Sequence, residues 1–296
     1  MTVAAASRNG PLPAILVMCA GVATLVMSDV AAKWLVERYH PLQILWVRSL
    51  IACPVVAALV IATQGLSGLA SARVGVHALR ALLAVGATWT FILSLRYMAL
   101  DAATSLIFAA PLFVAALSRL VLGERVSRDR WIAILAGFVG VLIVVRPGAA
   151  AFEPAALLAL AAAAIYALLM LVARRIPASD GFGTMTFWIT AFPILFCLPW
   201  VFVPWPEGER LDLLLFPATA LCGTLGISLL SQAFRMAEAS VVAPFDYTAL
   251  FWASLMGWLV WGTVPSVWTW AGAAVIAAGG VYLLRTERRA RARARL

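Results

Sequence analysis

The sequence predicts an all-α integral membrane protein whose ten transmembrane helices form two inverted five-helix repeats. Three observations carry that prediction. Hydrophobic residues make up 64% of the 296 and charged residues only 12%, whereas an ordinary soluble domain is about 45–50% apolar. The polar residues fall in short gaps between apolar runs of about 20 residues, the length that crosses a ~30 Å hydrocarbon core at 1.5 Å per residue. When the chain is laid against itself at an offset of 139 residues, positions carrying Trp, Gly and Arg recur. The runs do not alternate polar with apolar residues, so helices and not barrel strands are expected.

Charged and proline-rich breaks divide the chain into spans near 13–35, 42–62, 77–97, 102–122, 131–146, 154–173, 184–204, 211–234, 240–261 and 267–284. The first run is too long for a signal-peptide core and leads to no small-x-small cleavage site, so it is expected to remain a helix. Spans four and nine enter through small polar residues, and the fourth contains Pro111. Alanine runs such as Ala159 to Ala164, and Gly137, Gly140, Gly272, Gly279 and Gly280 in spans five and ten, are surfaces for close helix approach. Trp200, Trp205, Trp268 and Trp270 stand near span ends, where an interfacial aromatic belt belongs. Past the last span comes RTERRARARARL, a basic, helix-compatible run suited to lipid headgroups. The expected division is a first repeat at 1–150, a second at 151–285 and a basic cytoplasmic tail at 286–296.

Ten crossings place both termini on one side. With both termini inside, sixteen basic residues flank the inner face and six the outer, and retention of Lys and Arg in the cytoplasm selects that orientation. The net charge of +9 is thus accounted for by topology and membrane lipid. No basic stripe interleaved with aromatics suggests nucleic acid. Cys19, Cys53, Cys197 and Cys222 all lie in apolar runs without CxxC or Cys/His spacing, so they read as small core residues. His40 and His77 read as interfacial histidines near opposite faces, too far apart to form a metal pair.

The 139-residue register pairs Arg96 with Arg235, Gly123 with Gly262, Ser127 with Ser266, Trp131 with Trp270, Gly140 with Gly279 and Arg146 with Arg285. The offset equals five spans, an odd number, so the second half must lie inverted relative to the first. Inverted repeats rocking about a midplane site are a recurring plan of secondary transporters. A duplicated bundle without transport is the alternative.

Ten spans in two halves, APLF at Ala110 to Phe113, Leu-Gly-Glu at Leu122 to Glu124, Trp131 after it and Arg-Pro-Gly at Arg146 to Gly148 resemble the EamA family of the drug/metabolite transporter superfamily. The resemblance runs from about Ala14 to Leu284. The second half departs from it, with Trp261-Gly262-Thr263 where another Leu-Gly-Glu is common and Ala249-Leu250-Phe251 where a second proline-centred motif is common. The resemblance implies a multi-pass carrier of small metabolites in a bacterial inner (cytoplasmic) membrane, often an exporter. It does not name the substrate.

Ionisable groups inside spans cost about 2.5–3.5 kcal/mol even on the lenient insertion scale, so each needs an account. Asp29 and Lys33, one helical turn apart in span one, can pair along one face. Arg48, about a turn and a half into span two, lies at a depth comparable to Asp29. These groups are read either as a gate or site for a substrate's carboxylate and ammonium, with Asp29 a candidate proton acceptor for coupling, or as a structural ion pair with Lys33 reaching the interface. Asp246 follows Pro244, whose ring loosens the helix beside a carboxylate. It is read as a site residue or as a buried hydrogen-bonded acid.

Phe108 falls on Tyr247 in the 139-residue register. Trp89, Tyr166 and Gln232 add ring and amide groups on spans that line the central cavity in the family resembled. Rings there can stack on a planar substrate or serve only as packing. The candidate substrate site is therefore Asp29, Arg48, Trp89, Phe108, Tyr166, Gln232, Asp246 and Tyr247.

The expectation is a secondary active exporter of a small amino-acid-like metabolite, working by alternating access without cofactor or metal. Uptake of a planar nutrient such as riboflavin, a nucleobase derivative or S-adenosylmethionine is the alternative. A membrane enzyme would need paired acidic motifs, a His cluster, a nucleophile with its base or a phosphate-binding loop, and the sequence carries none of these. A structural subunit would not require charges inside the spans.

Overall fold

A computed structural model describes residues 12–110, 113, 116–117, 128–145, 154–173, 176, 180–236, 245 and 248–293. The described residues hold ten α-helices: α1 (Leu12–Val36), α2 (Pro41–Gln64), α3 (Val74–Leu95), α4 (Leu100–Ile107), α5 (Arg128–Val145), α6 (Ala156–Ala173), α7 (Phe182–Phe196), α8 (Asp212–Met236), α9 (Thr248–Trp261) and α10 (Val267–Arg293). Four of them, 12–36, 41–64, 74–95 and 212–230, are long and apolar enough to cross a bilayer. The others include shorter apolar helices, and the chain is an all-helical integral membrane protein. The APLF motif at 110–113 and the Leu-Gly-Glu motif at 122–124 fall partly or wholly outside the described residues.

Local chemistry sets the helix ends. Pro41 occupies the first turn of α2, where its missing N–H costs nothing. Before it, the His40 ring nitrogen Nδ1 accepts from the Leu42 N–H at 3.2 Å, and Gln43 Oε1 accepts from the His40 N–H at 3.0 Å. That reciprocal cap satisfies two otherwise orphaned donors. Gly65 ends α2 and Gly262 ends α9, at φ 72° and 67°, a left-handed geometry open to glycine without strain. The basic run past the last expected span is helical as far as it is described, since α10 continues without a break to Arg293.

The helices meet through small residues, because lipid supplies no hydrophobic drive for helix association. On the α1–α8 interface a methyl group on Gly226 would stand 2.9 Å from the Gly21 carbonyl oxygen and 2.6 Å from Leu25 Cγ. On the α5–α10 interface a methyl group on Gly140 would meet the Gly272 carbonyl at 2.9 Å. The largest apolar cluster draws Val26 from α1, Leu95 from α3, Leu106 from α4, Val141 from α5, Leu250 from α9 and Ile276 from α10.

The extensive helix pairings are α1–α8, α3–α6, α2–α8, α3–α7, α1–α9, α4–α6, α2–α7, α4–α9 and α5–α10. Exchanging each helix for the one five places along returns the same set. At one end of the bundle the turn after α1 is clasped to α8: Arg38 pairs with Glu209 at 2.7 Å and with Asp212 at 2.5 Å, and the Tyr39 hydroxyl donates to Asp212 at 2.7 Å.

Candidate functional site

Arg48 lies seven residues into α2, and Asp29 seven residues before the end of α1. Because α1 and α2 are joined by a short turn, both charges sit about 10 Å from the same end of the bundle. Both are only half-buried, although they lie within the helix assembly. The Arg48 guanidinium rests against the α8 backbone at Gly223, where a methyl group would come within 2.8 Å of Arg48 Cζ and 3.0 Å of Ser28 Oγ. Beside it, the Ser28 hydroxyl donates to the Thr219 carbonyl of α8 at 3.0 Å. Three helices therefore converge on this point.

Asp29 and Arg48 attract each other electrostatically. They are not in direct ion-pair contact: among the described residues the ion pairs are Arg38–Glu209, Arg38–Asp212 and His77–Asp180. An acidic and a basic group, at one depth and not neutralised by contact, can face the ammonium and the carboxylate of one small molecule.

The expected pairing of Lys33 with Asp29 does not form. The Lys33 ammonium donates to the carbonyls of Leu95 at 2.5 Å and Met98 at 2.8 Å, sits 5.5 Å over the Trp261 ring and interacts electrostatically with Asp101. Although the two stand one turn apart on one face, the carbonyls at the end of α3 take the cation instead. Lys33 thus ties α1 to the α3–α4 corner. Asp101, buried in the first turn of α4, passed unnoticed in the sequence; an acid at a helix start beside an intramembrane lysine was the available signal.

The remaining candidates separate. Phe108 is buried in the large apolar cluster with Leu250 and Ala253 of α9. Trp89 on α3 and Tyr166 on α6 are 37% and 41% exposed, and Tyr166 interacts electrostatically with Arg80 of α3. Gln232 is placed on α8, with its side chain outside the described residues. Asp246 and Tyr247 lie outside the described residues altogether, between Phe245, which packs against the cluster of Ala14, Met18, Val22 and Ala233, and the start of α9.

His77, expected near a membrane interface, lies three residues into α3 and is packed inside the protein. It is 1% exposed, and its Nε2 lies 2.8 Å from Asp180 Oδ2. Gly223, Ser28 and Thr219 were missed for a different reason: small and hydroxyl residues in an apolar run carry no charge to mark them. His40, at the helix start outside the spans, is held below the usual imidazole range by burial and then by the nearby Arg96 charge.

The molecule is thus a helical membrane bundle whose more extensive pairings survive a five-place exchange, with charged side chains gathered between its helices. The chain belongs to the EamA-like transporter family, whose model matches twice, over residues 12–146 and 153–286. It is 35% identical to a riboflavin transporter of Vibrio cholerae, covering 72% of each chain. It is 28% identical to an S-adenosylmethionine uptake transporter of Rickettsia bellii, over 89% of this chain and 90% of that protein. A pseudopaline exporter of Pseudomonas aeruginosa is 28% identical, over 75% of this chain and 80% of that protein. One solved structure superposes with a TM-score of 0.60 at 20% identity, covering 94% of this chain and 98% of that one, a likeness of fold.

Proposed function

We propose that the protein is a secondary active carrier that moves a small zwitterionic, amino-acid-like metabolite across a bacterial inner membrane by alternating access. The single observation that carries this reading is the placement of Asp29 and Arg48: opposite charges, half-buried at one depth between α1, α2 and α8, without direct contact. Arg48 takes the carboxylate through its fork of donors. Asp29 takes the ammonium, or a coupled proton when the site is empty. Asp246 and Tyr247 form the inner binding region, with Phe108, Trp89, Tyr166 and Gln232 shaping the path.

Ten crossings in two inverted halves, with both termini cytoplasmic, complete the reading. The two family matches, the exchange symmetry of the helix pairings and the odd five-span offset support it. Direction follows the gradient, because alternating access is reversible. Export is the direction we propose. Uptake of a planar nutrient is the second reading, favoured by the aromatic residues of the candidate site and by the names of the riboflavin and S-adenosylmethionine relatives.

The test is untargeted mass spectrometry of cells and medium from a deletion strain, an overexpressing strain and strains overexpressing Asp29→Asn or Asp246→Asn. A compound that accumulates in the medium with the wild-type protein and not with the variants supports export and names the substrate. Depletion from the medium supports uptake instead. Equal pools in all strains would sink the carrier reading, and full flux in both variants would sink the site.

A further inference from the structure

At the opposite end of the bundle from Arg48 stands a second half-buried arginine. Arg80 lies six residues into α3, about 9 Å from its start. The start of α3 lies at the far end of α2 from Arg48, since the two helices are joined end to end through 65–73. Arg80 Nη1 donates to the Met185 carbonyl of α7 at 3.2 Å. One turn earlier on α3, His77 stacks on Trp188, one turn past Met185, with ring centroids 6.4 Å apart. His77 Nε2 is held by Asp180 at 2.8 Å, and Asp180 also accepts from the Ser71 hydroxyl at 2.5 Å. Tyr166 of α6 is the electrostatic neighbour of Arg80.

The contacts that fix this cluster leave half of it unsatisfied. Arg80 Nε, His77 Nδ1 and Trp188 Nε1 are buried and have no hydrogen-bond partner among the described residues. Arginine and indole nitrogens only donate, and each buried donor left unmet costs about 1–3 kcal/mol. Among the described residues no carboxylate lies within ion-pair distance of Arg80. Unmet donors beside an unneutralised positive charge are complementary to an anionic oxygen. The α3–α7 interface is also the five-place exchange partner of the α2–α8 interface that holds Arg48. Each of these related interfaces carries one half-buried arginine, Arg48 on α2 and Arg80 on α3, towards opposite ends.

We propose that Arg80 and Trp188, walled by the His77 ring, form a second anion subsite that takes the carboxylate of the carried metabolite at the end opposite Arg48. This rests on the carrier reading, since two related subsites at opposite ends serve one substrate leaving by either face. Arg80 supplies the charge, Trp188 a neutral donor, and Asp180 orients His77.

The test is phenylglyoxal modification of the full chain in phosphatidylcholine proteoliposomes, mapped by peptide mass spectrometry. Benzoate is the carboxylate probe, and benzamide and sodium chloride are the controls. Saturating benzoate is expected to slow modification of Arg80 about tenfold, the worth of one charge-assisted hydrogen bond. Benzamide and chloride should not slow it. Trp188→Phe, which keeps the ring and removes the donor, should leave Arg80 reactive and weaken the protection. An unreactive Arg80, or equal protection by benzamide or chloride, overturns the subsite. Protection by added phosphatidylglycerol as strong as that by benzoate would assign the site to lipid headgroups and overturn it too. The carrier reading is judged separately: benzoate protection with unchanged metabolite pools leaves the subsite standing without transport, and flux without protection removes the subsite alone.

Discussion

The guanidinium of Arg48 packs directly on the α8 backbone at Gly223, with Ser28 Oγ closing the third side. A methyl group there would crowd Arg48 Cζ at 2.8 Å, so Gly223→Ala should displace the arginine. Overpacking of this kind costs about 1–3 kcal/mol. The expected outcome is a protein that still inserts, melts lower in detergent and loses most flux of the metabolite named by mass spectrometry. Full flux would show that the position of Arg48 is irrelevant to transport.

Lys33 serves structure. Its ammonium satisfies the Leu95 and Met98 carbonyls across the α1 and α3–α4 boundary. Lys33→Met leaves those acceptors unmet and Asp101 without its neighbouring cation, a loss of about 1–3 kcal/mol. The thermal midpoint of the purified protein should fall while substrate affinity stays unchanged. A raised substrate Kd with an unaltered midpoint would return Lys33 to the site.

The clasp between α1 and α8 gives an alkaline limit. Burial, then the hydrogen bond to Asp212, pushes the Tyr39 hydroxyl up to about 12, above its usual value near 10. The folded state therefore holds its proton more tightly than the unfolded chain does. This stability is fully present below about pH 10 and is lost as pH rises towards 12. Unfolding followed by circular dichroism against pH should show the loss in the wild type and a flatter profile in Tyr39→Phe.

An acid limit comes from the cap of α2. His40 Nδ1 accepts from the Leu42 N–H, which only the unprotonated nitrogen can do. Its pKa is lowered in the folded state by burial first and Arg96 second. Stability is therefore present above the unfolded value near 6.5 and falls as pH drops through the folded one. His40→Asn, which keeps a capping acceptor without a titrating ring, should melt with less dependence on pH between 7 and 5.

Much of the fold was legible in the chain. Span boundaries such as 42–62 against the observed 41–64, and 211–234 against 212–236, follow from apolar length because the bilayer imposes it. Asp29 and Arg48 were legible as well, since intramembrane charge is rare enough to mark a residue. The partner of His77 was not legible, because Asp180 stands 103 residues away in sequence and only the fold brings it beside the ring.

By itself, then, the sequence determined the helical membrane class, the order of the apolar segments and the charged candidates. Each of these depends on composition, length or periodicity along one chain. Only the tertiary structure decided which charge meets which partner. It turned Lys33 away from Asp29 towards the Leu95 and Met98 carbonyls, seated Arg48 on Gly223 and left Arg80 Nε and Trp188 Nε1 without a partner among the described residues. The physical reason is that side-chain partnership depends on the rotation of each helix about its axis and on how closely its small residues let a neighbour approach. In a chain that is apolar all round its helices, no amphipathic stripe records that rotation.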